Sequence, residues 1–131
     1  MRYALTAAAL ALAVLGSSVT VDQASAKALS SQDIKRAIAG KKVLLQTRWG
    51  SFPLRYNRNA RVTGDGRALG LARYFSPKET GRWWVANNRL CQRFPTWYKG
   101  QTSCFRLRKT GPNTLSWVRQ DGFRGTALIS R

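Results

Sequence analysis

The chain has 131 residues, and its 23 Lys and Arg residues against 5 Asp and Glu residues give a formal net charge of +18. It contains no histidine, the side chain used most often for proton transfer near neutral pH and for binding transition metals. The length corresponds to one domain. The shortage of carboxylates and the absence of imidazole argue against most acid–base, nucleophilic and metal-dependent enzymes.

The first 26 residues have the three regions of a secretory signal peptide. Residues 1–3 form a short positive start, residues 4–15 are apolar apart from one threonine, and residues 24–26 read Ala-Ser-Ala, a pattern that signal peptidases accept. About 12 apolar residues are fewer than the roughly 20 that a transmembrane helix needs. We therefore predict cleavage before Lys27, one mature domain over residues 27–131 without a transmembrane span, and a periplasmic or secreted location.

Residues 30–39 have the pattern of a short helix. Ser30 is a suitable N-cap, and Asp33 follows it three residues later as in a capping box. Ile34 and Ile38 would lie on one apolar face, and a glycine follows that can end the helix. We expect this helix to dock on the rest of the domain.

From residue 42 onward, apolar residues recur with a period of two and turn signals arrive every 8 to 12 residues, which is typical of an antiparallel all-β domain. We predict about eight short strands that close into a small up-and-down barrel or, alternatively, fold into a sandwich. The strand signals fall at 43–48, 52–56, 61–62, 68–74, 82–86, 89–94, 103–109, 115–119 and 123–129.

Several turn dipeptides separate these segments. Gly50-Ser51 divides the first two, and Asp65-Gly66 and Asn87-Asn88 have the composition of two-residue hairpin turns. Asp121-Gly122 predicts a further turn before the last strand. Core packing is the expected role of most aromatic residues on the predicted strands or at their ends, namely Trp49, Phe52, Trp83, Phe94, Phe105, Trp117 and Phe123.

Cys91 and Cys104 are the only cysteines, and an even pair in an exported domain predicts a disulfide. The bond would close a loop of about 14 residues, which contributes roughly 3 kcal/mol in the chain-entropy model. A redox pair is a weaker interpretation because the spacing is not CxxC and no histidine can activate a thiolate. Two cysteines without histidine also cannot complete a zinc site, so we expect no cofactor or metal.

If the two cysteines face each other on neighbouring antiparallel strands, the alternation assigns both faces of these strands. Leu90, Gln92, Phe94, Phe105 and Leu107 then face the core. The opposite face carries the disulfide and four candidate anion-binding residues: Arg89, Arg93, Arg106 and Arg108. The same register places Arg89 opposite Arg106, and like charges in such positions repel. Either an anionic partner neutralises this face or it is a solubilising surface.

The segment between the two disulfide strands contains Trp97, Tyr98 and Lys99. A loop with two aromatic side chains and a lysine, held at its base by a disulfide, is a candidate recognition loop for a sugar, a lipid headgroup or a base. The alternative, which stays open, is that Trp97 folds back as a lid on the end of the barrel.

Four segments carry a family resemblance: Gly-Arg-Trp-Trp-Val at 81–85, Leu90-Cys91, Cys-Phe-Arg-Leu at 104–107, and Asp121-Gly122. The stretch from residue 81 to 122 resembles a family of small exported proteobacterial proteins of uncharacterised function, whose shared pattern is roughly G-x-W-x-V, L-C and C-F-x-L. The resemblance implies an exported β domain and assigns no catalytic residues.

These observations predict a basic envelope protein, not an enzyme, that binds anionic envelope components such as an acidic polymer or a lipid headgroup, or that has a structural role there. The alternatives are a nucleic-acid-binding protein and a β-barrel that binds a small ligand. Nonspecific binding of nucleic acid in vitro is expected from the charge alone. The four carboxylates after residue 26 are scattered, whereas glycosidase chemistry needs two beside one bond.

Overall fold

The computed structural model describes residues 27–48, 50–66 and 78–131. The predicted signal peptide, Trp49 and the predicted strand at 68–74 lie outside these ranges, so they stay predictions. The described elements are one α-helix, α1 (Ser31–Ile38), a short 3₁₀ segment at Trp97–Gly100, and eight strands. The strands are β1 (Lys41–Thr47), β2 (Gly50–Tyr56), β3 (Arg61–Asp65), β4 (Lys78–Ala86), β5 (Arg89–Arg93), β6 (Ser103–Gly111), β7 (Thr114–Arg119) and β8 (Arg124–Ser130).

The eight strands form a closed antiparallel barrel in chain order, with β8 pairing back onto β1. Closure leaves no free sheet edge, which is the usual solution for a meander of short strands. The predicted all-β barrel with one short helix is confirmed, and the sandwich alternative is wrong.

The helix begins at the predicted cap and packs across one end of the barrel, which we call the helix end. The Ser30 hydroxyl accepts a hydrogen bond from the Asp33 backbone N–H, so one otherwise unpaired donor of the first turn is satisfied. Ile34 and Ile38 are buried among the barrel's core side chains. Ser31 exchanges two hydrogen bonds with Asn88 in the β4–β5 turn, which fixes the helix on that turn.

Alternation along the strands separates the core from the outer surface. On β4, Glu79, Gly81 and Trp83 face inward and are buried, whereas Arg82 and Trp84 face outward. The core consists of buried side chains from the helix and most strands, including Val43, Leu54, Tyr56, Val62, Leu90, Phe94, Leu107 and Leu115. A buried hydrogen bond of 2.6 Å from the Tyr56 hydroxyl to Gln92 Oε1 satisfies two polar groups within it.

Three sequence predictions about turns and aromatic residues need correction. Gly50-Ser51 does not separate two strands but starts β2, where Gly50 pairs with Thr47. Asp65-Gly66 does not begin a two-residue hairpin, because β3 pairs with β4 and Asp65 lies opposite Lys78. Phe123 is not a core residue: it precedes β8 and is 61% exposed.

The Asn87-Asn88 turn has the predicted geometry. Both residues have positive φ, 52° and 59°, as a type I′ turn requires, and asparagine tolerates this region better than most side chains. The turn sets the pairing of β4 with β5 and therefore the positions of the outward side chains on both strands. The Asp121-Gly122 turn is also present, with Gly122 at φ 87°.

Candidate anion-binding face

Cys91 and Cys104 form a disulfide and lie opposite each other on β5 and β6, as predicted. Both face outward by strand alternation, yet Cys91 is only 4% exposed. Its cross-strand neighbours are Cys104 and the large side chain of Trp84 on β4, which accounts for this burial. The disulfide therefore lies in the middle of an outer surface formed by β4, β5 and β6.

The four arginines predicted around the disulfide all lie on the outward face. Continuing the register from Leu90, which pairs with Phe105, places Arg89 opposite Arg106 on the side of the disulfide nearer the helix end. Arg93 lies two residues beyond Cys91 in the other direction. Arg108 is one outward position further along β6, where its neighbour is Ala28 of the segment that precedes the helix.

Two more arginines belong to this surface and were missed by the sequence analysis. Arg82 lies directly opposite Arg93, and Arg61 lies directly opposite Arg82, so three arginines form a row across β3, β4 and β5. The predicted Asn87-Asn88 turn carried this signal, because a two-residue turn there aligns Arg82 with Arg93. We call the six residues Arg61, Arg82, Arg89, Arg93, Arg106 and Arg108 the arginine face.

The charge of the arginine face is not neutralised by the described part of the chain. No described carboxylate lies within 4 Å of these guanidinium groups, and none of the six makes a side-chain hydrogen bond there. The described carboxylates lie on the helix, at the far ends of β3 and β4, and in the β7–β8 turn: Asp33, Asp65, Glu79 and Asp121. Five of the six arginines are exposed, and Arg89 is half-buried.

Trp84 provides an aromatic surface within the arginine face. It is 40% exposed and faces outward two residues from Arg82. Its indole makes no hydrogen bond or ring contact within the described residues, whereas Trp83 and Trp117 donate their indole N–H groups to backbone carbonyls. An exposed indole of this kind offers both an apolar plane and a free donor.

A groove of about 220 Å³ lies beside the disulfide and extends from Arg89 and Arg106 to the β7–β8 turn. Arg89 and Arg106 line it together with Arg119, Gln120 and the small residue Gly122. The Gln120 side chain accepts a hydrogen bond from the Cys104 backbone N–H and donates one to the Thr102 carbonyl. These two bonds hold the Gln120 side of the groove against β6.

The predicted recognition loop lies at the end of the barrel opposite the helix. We call this end the loop end. The three predicted residues of the loop do not form one surface. Trp97 packs inward, with ring centroids 4.8 Å from Phe94 and 5.6 Å from Phe52. A methyl group on Gly64 would collide with its ring, so the glycine allows this close approach. Trp97 therefore folds back onto the end of the barrel, which was the alternative to its role in a recognition loop. Tyr98 and Lys99 are exposed and have positive φ values of 55° and 57°.

The Glu79 carboxylate fixes this loop from inside the barrel. Glu79 is 8% exposed and accepts hydrogen bonds from the Thr96 backbone N–H, the Thr96 hydroxyl and the Trp97 backbone N–H. A carboxylate with three donors in a buried position stabilises the first turn of the loop. No pattern in the sequence predicted this role for Glu79.

Arg119 organises the loop end around a small interior cavity. Its guanidinium makes two hydrogen bonds to Asp121, of 2.9 and 2.7 Å, and lies 5.4 Å from the Tyr98 ring centroid and 5.1 Å from that of Phe123. Hydrogen bonds from Arg119 and from the Phe123 backbone lower the pKa of Asp121 to about 2. The cavity beneath has a volume of about 60 Å³, enough for a few water molecules.

A wider groove of about 540 Å³ lies between α1 and the barrel wall. Lys41, Lys109 and Arg131 line it, but so do Asp33 and Arg36, which lie 3.8 Å apart. This groove therefore contains both signs of charge, unlike the arginine face.

Burial raises the pKa of Tyr56 above its ordinary range, and its hydroxyl is already paired with Gln92 inside the core.

No helix in the described ranges is both long and apolar enough to span a lipid bilayer. Among the same residues, no three metal-binding side chains of the His, Cys, Asp or Glu type come together.

No protein-family model matches the chain, and searches of curated proteins and of solved structures gave no match either. The family resemblance noted in residues 81–122 therefore stays a prediction.

Proposed function

We propose that this protein is an exported binding module for anionic components of the cell envelope and that the arginine face is its contact surface. One observation carries the proposal: six outward arginines share adjacent strands, and no described carboxylate neutralises them. Cross-strand repulsion is a cost to the free protein. A bound anion would relieve that cost and form charge-assisted hydrogen bonds.

Arginine determines the chemistry of the ligand. A guanidinium group presents a planar set of donors that matches phosphate and carboxylate oxygens in pairs. The envelope supplies both groups in its acidic polymers and lipid headgroups. The disulfide between Cys91 and Cys104 supports a location in an oxidising compartment, in line with the predicted signal peptide.

We propose binding rather than catalysis, because three of the described carboxylates have structural contacts. Asp33 lies in the first turn of α1, Glu79 accepts hydrogen bonds from the loop end, and Asp121 is paired with Arg119. Each of them has a local partner, and they lie on separate elements.

A small-ligand barrel is the second candidate, and the interior cavity is the observation that bears on it. The cavity of about 60 Å³ is much smaller than the roughly 300–1,000 Å³ of typical small-molecule sites. Its mouth is occupied by the cluster of Tyr98, Arg119 and Phe123. The outer face therefore supports a function better than the interior does.

The test is equilibrium binding of the purified, oxidised protein to inorganic polyphosphate, which contains neither sugar nor base. The variant Arg82→Gln/Arg93→Gln should bind at least about tenfold more weakly, because two guanidinium contacts are lost. Lys35→Gln/Arg36→Gln on the helix removes the same formal charge and should change the affinity much less. Equal losses in both variants would mean that the charge acts diffusely and would overturn the proposal.

A further inference from the structure

We infer that the ligand of the arginine face is an acidic glycan with spaced charges, one of whose neutral sugar rings stacks on Trp84. The inference rests on the proposed function and names the class of its ligand. Three features of the face carry it: two separated arginine groups, an uncharged strip between them, and in that strip an indole without a partner among the described residues.

The arginines form two groups with a gap between them. Arg61, Arg82 and Arg93 form one row across β3, β4 and β5, and Arg89 with Arg106 forms a pair on the other side of the disulfide, with Arg108 one outward position beyond Arg106. Arg89 and Arg93 are four residues apart on β5, which corresponds to about 13 Å at roughly 3.3 Å per residue. A ligand that contacts both groups needs anionic groups at a similar separation.

The strip between the two groups is uncharged. It consists of Trp84, Cys91 and Cys104, which lie side by side across β4, β5 and β6. An anionic group placed over this strip would lose water and gain no cation. A ligand that carries charge at every unit, such as polyphosphate or single-stranded nucleic acid, therefore fits this face less well than one whose charged and neutral units alternate.

Trp84 gives the strip its specificity for a ring. Its plane is 40% exposed, and its indole N–H has no partner among the described residues. The apolar face of a sugar ring can pack on the indole and remove apolar area from water, while the N–H donates to a ring substituent. Single-stranded nucleic acid is usually bound by several aromatic platforms that stack successive bases, and among the described residues Trp84 is the one indole on this face.

The experiment uses hyaluronan octasaccharide, in which a uronic acid alternates with a neutral amino sugar, and measures its affinity for the purified, oxidised protein. Trp84→Leu should weaken hyaluronan binding by about fivefold or more, the low end of what aromatic stacking platforms contribute. The same variant should leave polyphosphate affinity within about twofold, because that ligand has no ring to stack. Trp84→Phe should restore part of the hyaluronan affinity.

The controls separate this inference from the proposed function. Leu128→Ala removes another exposed large apolar side chain, on β8 and outside the strands of the face, and should change neither affinity. A neutral chitin oligomer of equal length should bind weakly. If Trp84→Leu affects neither ligand while Arg82→Gln/Arg93→Gln weakens both, the inference fails and the proposed function survives.

Two other outcomes would also overturn the inference. If an oligothymidylate bound more tightly than hyaluronan and depended more strongly on Trp84, the ligand class would be a single-stranded nucleic acid. If neither polyphosphate nor hyaluronan responded to Arg82→Gln/Arg93→Gln, the proposed function itself would fail. The thermal unfolding midpoint of each variant is measured as a control. A midpoint close to that of the parent protein shows that the variant is folded, so a loss of binding is due to the changed face.

Discussion

Arg82 on β4 lies directly opposite Arg93 on β5, and both side chains face solvent. Cβ atoms in such positions are only about 5 Å apart, so the two guanidinium groups can separate only by extending away from each other. Arg61 is opposite Arg82 on its other side, which limits that separation. The fold thus contains a local repulsion that no described side chain relieves.

This repulsion predicts the outcome of a double-mutant cycle. Arg82→Gln and Arg93→Gln should each stabilise the free protein slightly, and their coupling should be repulsive by about 0.2–1 kcal/mol at low salt. The coupling should shrink as salt increases, because the charges are exposed and the screening length falls. The measurement is urea unfolding of the four cycle members at two salt concentrations. A coupling of zero at low salt would show that the two groups avoid each other without cost.

The disulfide is predicted to contribute a large part of the stability. Cys91→Ala/Cys104→Ala should lower the free energy of unfolding by about 3 kcal/mol, the entropy estimate for a closed loop of this size. Reduction of the parent protein should produce a similar loss, which controls for the substitution itself. Urea unfolding measures both. A loss below about 1 kcal/mol would contradict the assumption that the bond constrains the unfolded chain.

Glu79 is predicted to hold the loop end in place. Glu79→Gln leaves one acceptor oxygen where the carboxylate had two, so a partly buried backbone N–H of Thr96 or Trp97 loses its partner. The expected loss in the free energy of unfolding is about 1–3 kcal/mol. Thr96→Ala removes only the hydroxyl donor and should cost less. Unchanged unfolding free energy in Glu79→Gln would show that the loop keeps its conformation without this carboxylate.

The pair between Arg119 and Asp121 predicts a specific acid titration. The pKa of Asp121 is lowered to about 2, so the pair stabilises the folded state at pH values above the ordinary carboxyl pKa. That stabilisation is lost as the pH falls toward 2. NMR titration of the Asp121 side-chain carboxyl should give a midpoint near 2, and Arg119→Gln should move it upward. A midpoint near 4 in the parent protein would contradict the bidentate pairing.

Local patterns in the sequence predicted much of the face but not all of it. The cysteine pair and strand alternation were enough to place Arg89 opposite Arg106. The Asn87-Asn88 turn also determines that Arg82 is opposite Arg93, so Arg82 required no information beyond the predicted turn and its register. Arg61 is different, because its position opposite Arg82 depends on the pairing of β3 with β4, which no local turn signal reports.

Other features depend on long-range contacts that local patterns do not report. Asp65-Gly66 has the composition of a hairpin turn, but the partner of β3 is determined by closure of the whole barrel. Phe123 lies beside a sequence segment with alternating apolar residues, yet its ring stacks on Arg119 outside the core. The role of Glu79 requires knowing that residues 96 and 97 return to the mouth of the barrel.

In our proposal, one face of the barrel binds the anion, and the total charge does not. The most direct measurement is a titration of the ¹⁵N-labelled, oxidised protein with polyphosphate, followed by NMR shifts of the backbone amides and arginine Nε groups at about 150 mM salt. We expect the largest shifts at Arg82, Arg89, Arg93 and Arg106, with small changes at Lys35 and Arg36 on α1. Shifts spread evenly over all basic residues, the helix included, would contradict it.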